Sequence, residues 1–213
     1  MGFGKAAAAV IVLLLALAGV LSACGDDTVD VPSGVLGPDV VGGTPYDDFF
    51  QHMGTANSCG LDSIELFGGT TTQNTIAYRR TIDGHHEYLV IGAYKRAPVN
   101  TRLALKELAE GIASKLCNTP PYTAARLHLD STPSAFAFKA SSHGTRFDHD
   151  SHSEKPWHSN ILRSYTYLQQ NFDDTMVLVS IERTDGTTPP TSELEDLTAK
   201  QVAKTKATLA AKA

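Results

Sequence analysis

The sequence predicts an α+β fold, an antiparallel sheet with helices packed on one face or at one end. Three observations carry that expectation. Asp83-Gly84 separates two strand-like runs, Thr75 to Ile82 and Glu87 to Lys95, and Asp-Gly between such runs signals a hairpin. A second pair, Ile161 to Gln169 and Thr175 to Arg183, flanks a turn at Asn171 to Asp174. Between these pairs, Asn100 to Cys117 places apolar residues at Leu105, Leu108, Ala109, Ile112, Ala113 and Leu116, the spacing of one buried helical face.

The remaining elements follow in chain order. Thr44 can cap a short helix with Pro45 in its first turn, Asp47 and Asp48 at its positive end, Phe49, Phe50 and Met53 facing inward, and Gly54 as its stop. Leu61 to Phe67 reads as a strand closed by Gly68-Gly69. Asn100 or Thr101 caps the long helix, and Pro120-Pro121 prevents its continuation. Thr123 to Leu129 and Ser134 to Lys139 form a strand pair split by Asp130-Ser131-Thr132-Pro133, and residues 141–160 read as a polar loop. A final helix spans Glu193 to Ala210, with Ser192 and Glu195 matching a capping box and Leu194, Leu197, Val202 and Leu209 as a thin apolar stripe.

The N-terminus reads as an export signal. Lys5 gives a positive n-region, and Ala6 to Leu21 is an uncharged apolar run of 16 residues. A membrane-spanning helix needs about 20, so the run fits a signal-peptide core better. It ends in Leu21-Ser22-Ala23-Cys24, two small residues before a thiol that can accept an acyl chain. Residues 1–23 are therefore expected to be removed, with Cys24 lipidated and holding the protein to the membrane. No paired arginines precede the run, which favours the general secretory route. Residues 25–44 are rich in Gly, Asp and Pro, without an aromatic or a helical period, and are expected to form a flexible tether reaching roughly 25 Å. Apolar residues between Val35 and Val41 would instead allow part of it to lie on the domain. The expected organisation is a signal peptide over 1–23, a lipidated cysteine and tether over 24–44, and one extracytoplasmic domain over 45–213.

Loss of Lys5 with the signal takes the formal charge from −5 to −6. An acidic domain argues against nucleic acid as a partner, because phosphate binding needs a basic face. Outside the cytoplasm, Cys59 and Cys117 are expected to pair as a disulfide, closing a loop worth about 4 kcal/mol in chain entropy. A redox or metal-binding role for the pair is the alternative, although no Cys-x-x-Cys is present.

The candidate chemistry lies in His143 to His158, HGTRFDHDSHSEKPWH. His143, His149, His152 and His158 stand there among Asp148, Asp150 and Glu154, and imidazole with carboxylate suits zinc, copper or nickel. The same residues also favour turns, and the plainer reading of the segment is a solvated loop. Trp157 either anchors that loop or offers an aromatic handle to a partner. His85 and His86, after the Asp83-Gly84 turn, are surface residues or further ligands if their hairpin approaches the loop. No Gly-x-Ser-x-Gly, phosphate-binding glycine loop or His-Glu-x-x-His occurs. A non-enzymatic binding domain without a resident cofactor is the expectation, taking an envelope component, small ligand or partner protein. The alternative is a metal-binding lipoprotein or metal-dependent enzyme.

With its Leu-x-Ala-Cys lipobox and Asp/Gly/Pro tether, the chain resembles the small lipoproteins of actinobacteria. More distantly, its body is similar to the extracellular sensor domains of mycobacterial serine/threonine kinases, which pack helices on an antiparallel sheet and use disulfides. The resemblance implies a lipid-anchored α+β domain and transfers no functional residue.

Overall fold

The computed structural model describes residues 30–46, 72–96, 106, 109–113, 118, 120–148, 152–170 and 173–212. Seven strands form one open sheet among these residues: β1 (Thr44–Tyr46), β2 (Thr72–Ile82), β3 (His85–Arg96), β4 (Tyr122–Leu127), β5 (Phe136–Asp148), β6 (Ser153–Gln170) and β7 (Asp173–Arg183). The order across the sheet is β1-β2-β3-β7-β6-β5-β4, and every neighbouring pair is antiparallel. Hairpins make most of it. The β3–β7 pair is not a hairpin and joins the β4–β7 block to β3, in a register running from Glu87↔Arg183 to Arg96↔Asp174.

The first hairpin closes where the sequence places it. Asp83 and Gly84 both take positive φ, 51° and 81°, as a two-residue turn matched to strand twist requires. That turn fixes the pairs Ile82↔His85 and Arg80↔Glu87.

Among the described residues, two helices with both ends defined accompany the sheet, α1 (Pro38–Val41) and α2 (Thr191–Ala210), beside the helical residues 106 and 109–113. Leu194 and Leu197 of α2 meet Tyr78, Leu89, Ile91, Leu162, Val179 and Ile181 on one sheet face. The opposite face buries Val90, Phe138, Tyr165, Met176 and Leu178, along with Arg163, whose Nε donates to Ser180 Oγ at 3.0 Å. Both faces thus carry buried apolar side chains. The α+β expectation holds at this level.

Several local expectations are corrected. Residues 31–44 of the expected tether lie on the domain, as the apolar residues between Val35 and Val41 allowed, and residues 25–29 of it lie outside the described residues. Val35, Leu36 and Val41 are buried in the core between the sheet and α2. Gln201, buried on α2, accepts from Leu36 N at 2.9 Å and donates to Gly34 O at 2.8 Å, so one amide satisfies the strap's backbone on both sides. Gly34 has φ 87°, and Thr208 stands within 3.2 Å of where a Cβ would lie, which restricts the position to glycine. The Tyr78 hydroxyl donates to Leu36 O at 2.6 Å, and burial, helped by the Asp39 charge, pushes its pKa up to about 12.

Thr44-Pro45 begins a strand rather than a helix. Pro45 opposes Tyr78 in the outermost strand, where a missing N–H is tolerated. The capping box at Ser192 does not form. Pro190 is the N-cap without a side-chain bond, and Glu195 instead accepts from Ser131 N in the β4–β5 connection at 2.5 Å. The polar loop over 141–160 is also overturned, since those residues are the arms of the β5–β6 hairpin, paired from Ser141↔Asn160 out to Asp148↔Ser153.

The helix expected over 100–117 is helical at 106 and 109–113, with Ile112 buried and Lys106 and Glu110 exposed, although Ala113 is exposed rather than inward. Cys24, Cys59, Cys117, the Leu61 to Phe67 strand and the remainder of the 45–53 helix lie outside the described residues.

Candidate functional site

The register brings polar residues together at the end of the sheet where β3 begins and β7 finishes. On the α2-facing side, the last apolar row is Leu89, Ile181 and Leu162 across β3, β7 and β6. One step outward comes a polar row, the charged Arg80, Glu87 and Arg183 followed by Asn160. A further step gives His85, Asp185, His158 and His143, where Asp185 follows β7 and bridges His158. Three of these histidines come from two separate sequence clusters. The alternation of strand side chains and the turn at Asp83-Gly84 are what align them.

The inner row is a buried ion network. Glu87 Oε2 accepts from Arg80 Nε at 2.9 Å and lies 2.8 Å from Arg80 Nη2. Its Oε1 accepts from Arg183 Nε at 2.6 Å and lies 2.5 Å from Arg183 Nη2. The Glu87 side chain is fully buried, those of Arg80 and Arg183 nearly so. Arg80 Nη1 donates to Val41 O at 3.0 Å, and Arg80 Nη2 meets Glu193 Oε1 at 2.5 Å at the start of α2. Burial pushes the Glu193 carboxyl up, against the pull of Arg80, and its Oε2 has no partner. Two guanidiniums and two carboxylates balance formally. One carboxylate spanning two guanidiniums ties β2, β3 and β7 together and seats the first turn of α2.

The outer row is exposed. His85 Nδ1 lies 2.6 Å from Asp185 Oδ2. Asp185 Oδ1 accepts from the Thr187 hydroxyl at 2.6 Å and the Thr187 amide at 2.9 Å, closing an Asx-type turn in the β7–α2 loop. Asn160 Nδ2 pins the same loop by donating to Gly186 O at 2.8 Å and Thr187 O at 3.0 Å. The Thr187 hydroxyl and amide, then His85, hold the Asp185 carboxyl well below the usual carboxylate range. Thr187 sits on the Nδ1 side of His85 and donates to the carboxylate, so this His-Asp pair does not activate it as a nucleophile.

The pH dependence follows from that shift. A depressed carboxyl contributes stability above its unfolded pKa, near about 4, and loses it as pH falls through the folded value. Asp185→Asn should therefore destabilise the protein at neutral pH, by less than about 1 kcal/mol because the pair is exposed. The difference from wild type should shrink in acid. Denaturant unfolding at several pH values reads this, and a difference independent of pH would mean that the carboxylate charge does not hold the loop.

The hairpin divides the four histidines proposed as ligands. His143 and His158 are directly opposed, with ring centroids 5.9 Å apart and planes at 22°. His152 lies in the connecting turn with φ 48°. Five residues of extended strand separate His143 from the last pair before that turn, about 17 Å. His143, His152 and His158 therefore do not meet at one point. His149 and Asp150 lie outside the described residues, as does the Trp157 side chain, whose backbone opposes Gly144. Among the described residues no three His, Cys, Asp or Glu side chains are placed to hold a metal ion. His86 turns to the other side of β3, where its Nδ1 lies 3.2 Å from Thr81 Oγ1.

The sequence reading missed Arg80, Glu87, Arg183, Asp185 and Thr187. The first two carried a signal, since they stand at equal distances from the Asp83-Gly84 turn as opposite charges at otherwise apolar positions. Asp185 and Thr187 read only as loop residues, because their partners are 100 and 102 positions away in the chain. Among the described residues, no helix is long and apolar enough to cross a membrane. The chain matches no protein-family model, no curated protein and no solved structure.

Proposed function

We propose that the chain is an exported lipoprotein whose α+β domain works as a membrane-held binding module on the extracytoplasmic side, for an envelope component, small ligand or partner protein. The observation that carries this reading is Leu21-Ser22-Ala23-Cys24 directly after an uncharged apolar run of 16 residues. In this reading residues 1–23 are cleaved, Cys24 is acylated and Cys59 pairs with Cys117. The packed strap sharpens the geometry. Val31 already touches the core, so six residues separate it from Cys24, at most about 25 Å of extended chain. A short link keeps the domain close to the lipid surface. Cys24→Ala should leave the precursor uncleaved or move the protein from the membrane fraction to the soluble one. A variant that is still processed and still sediments with membranes would refute the assignment.

A second reading is favoured by the facing His143 and His158 rings, which can offer two imidazole nitrogens to one zinc or copper ion. Two ligands bind weakly, and the turn at His152, about 17 Å away along the hairpin, adds no third. Calorimetric titration should then show binding at neutral pH that disappears below the imidazole range near about 6.5 and in His143→Ala. Equal binding by His143→Ala would leave the pair a cross-strand stack.

A further inference from the structure

A cavity of about 430 Å³ opens at the outer edge of β2, between α1 and the start of β3. The strap makes the opening. β1 pairs with β2 only as far as Thr44↔Arg79, while β2 runs on to Ile82. Gly42 turns the chain away with φ 70°. Gly43 lies so close over β2 that a Cβ there would stand 3.0 Å from Arg79 O and 3.1 Å from Tyr78 Cβ. Beyond that contact no strand among the described residues pairs with this edge of β2.

Strand alternation gathers four polar residues on one face there. Thr44 opposes Arg79, Thr81 follows two residues later, and His86 opposes Thr81, all on the face away from α2. All four are exposed and line the cavity. Arg80 lines it too, but its guanidinium is on the α2 side, held by Glu87 and Glu193. His86 Nδ1 lies 3.2 Å from Thr81 Oγ1. A Thr81 hydroxyl donating to Nδ1 leaves the neutral ring with its proton on Nε2, so the ring offers a donor. The whole chain has a formal charge of −5, yet no carboxylate lines this cavity. Asp39 of α1 and Asp83 of the β2–β3 turn are near in sequence and form no part of its wall.

We infer that this cavity binds the phosphoryl group of a small polar phosphate ester. Arg79 supplies a permanent charge and paired donors, His86 a ring N–H, and Thr44 and Thr81 their hydroxyls. A phosphoryl group has three terminal oxygens to share among these donors, where a carboxylate has two. The volume falls in the range of small-molecule sites and exceeds a bare phosphate, which leaves room for a hydrophilic body such as glycerol or a sugar. Two sources carry that chemistry, a free ester and a lipid headgroup, and the position favours the first. Gly34, toward Cys24, packs on Thr208 near the end of α2, while Val41 O meets Arg80 beside Glu193 at its start. From Glu193 to Thr208 the helix rises roughly 22 Å, so the cavity lies at the end of the domain away from the anchor. The inference rests on the binding-module reading and gives it a ligand class.

The test titrates the full chain in phosphatidylcholine nanodiscs, with empty nanodiscs as the blank. The probes are glycerol 3-phosphate, inorganic phosphate and glycerate, followed by calorimetry. Glycerol 3-phosphate should bind at least about tenfold more tightly than glycerate, which puts a carboxylate on a similar body. Arg79→Gln should weaken both phosphate probes by at least about tenfold, the effect of one charged hydrogen bond. His86→Gln should weaken them less, and Lys206→Ala, exposed near the far end of α2, should leave them unchanged. His86 is exposed, so its variant reads the site even where Arg79→Gln lowers the melting temperature. Added phosphatidylglycerol discs should leave the glycerol 3-phosphate affinity as it is. Competition by them would overturn the free-ester assignment and give the site to a lipid headgroup. Absence of binding by both phosphate probes, equal affinity for glycerate, or affinities unchanged in Arg79→Gln and His86→Gln would overturn the inference. An unmodified Cys24 would defeat the lipoprotein reading while leaving these titrations intact.

Discussion

Glu87→Ala should destabilise the domain by about 3–5 kcal/mol, the cost of leaving a buried ion pair with one partner. Both oxygens of Glu87 are engaged, one by each guanidinium. Its removal leaves Arg80 with Glu193 and Val41 O, and Arg183 with Thr187 Oγ1 at 3.5 Å. Neither guanidinium then has a fully buried counterion. Against the total of about 5–15 kcal/mol typical of a domain, such a loss leaves little margin. Urea unfolding at neutral pH reads the change. Replacing Arg80, Glu87 and Arg183 together with methionine should recover much of the loss, since an apolar cluster of similar volume carries no desolvation penalty. A change under about 1 kcal/mol in Glu87→Ala would mean that water reaches the guanidiniums and that the network is not a structural centre.

Removal of residues 1–43 should cost at least as much. That cut deletes Val35, Leu36 and Val41, each nearly or fully buried, and burial of such side chains contributes about 1.5–3 kcal/mol apiece. It also strips partners from groups that remain. The Tyr78 hydroxyl loses Leu36 O, both ends of the Gln201 amide lose the strap, and Arg80 loses Val41 O. Each buried polar group left bare adds to the loss. A cut before Asp30, by contrast, removes none of these contacts and should leave the melting temperature nearly unchanged. A free tether over residues 25–44 would make the two truncations equally harmless, so comparing their thermal melts discriminates directly.

These effects show where the sequence was readable and where it was not. Strand pairing around Asp83-Gly84 was legible because two positive-φ positions, an Asp-Gly pair and alternating apolar residues all agree. The α2 stripe was legible only by half. Leu194, Leu197 and Val202 show the helical period, but Thr198, Gln201 and Thr205 complete the buried face and read as polar. Their burial makes sense only with the strap in place, because Gln201 and Thr205 bond its backbone at Gly34. The strap itself gave no periodic signal, since it is held by backbone bonds and three side chains rather than by a regular face.

The 141–160 segment misled for a related reason. Out to Asp148↔Ser153 its strands project past the part of the sheet that the core covers, and the described side chains from His143 to Thr145 and His152 to Pro156 are exposed. With no buried face, a strand has no reason to alternate apolar and polar residues. Pro156 fits there because, before Asn160, β6 has no ladder with β7 on its other side. The residue types of the histidine cluster were visible in sequence. Their division into a facing pair and a turn was not, because it depends on the hairpin register.

The lipoprotein reading is tested most directly by mass spectrometry of the N-terminal peptide from protein expressed in a bacterial host with its signal intact. The account predicts a mature chain that begins at Cys24 and carries the mass of a diacylated cysteine, with or without a third chain on its new amino group. An unmodified Cys24, or a chain that still begins at Met1 in the mature membrane fraction, would contradict it.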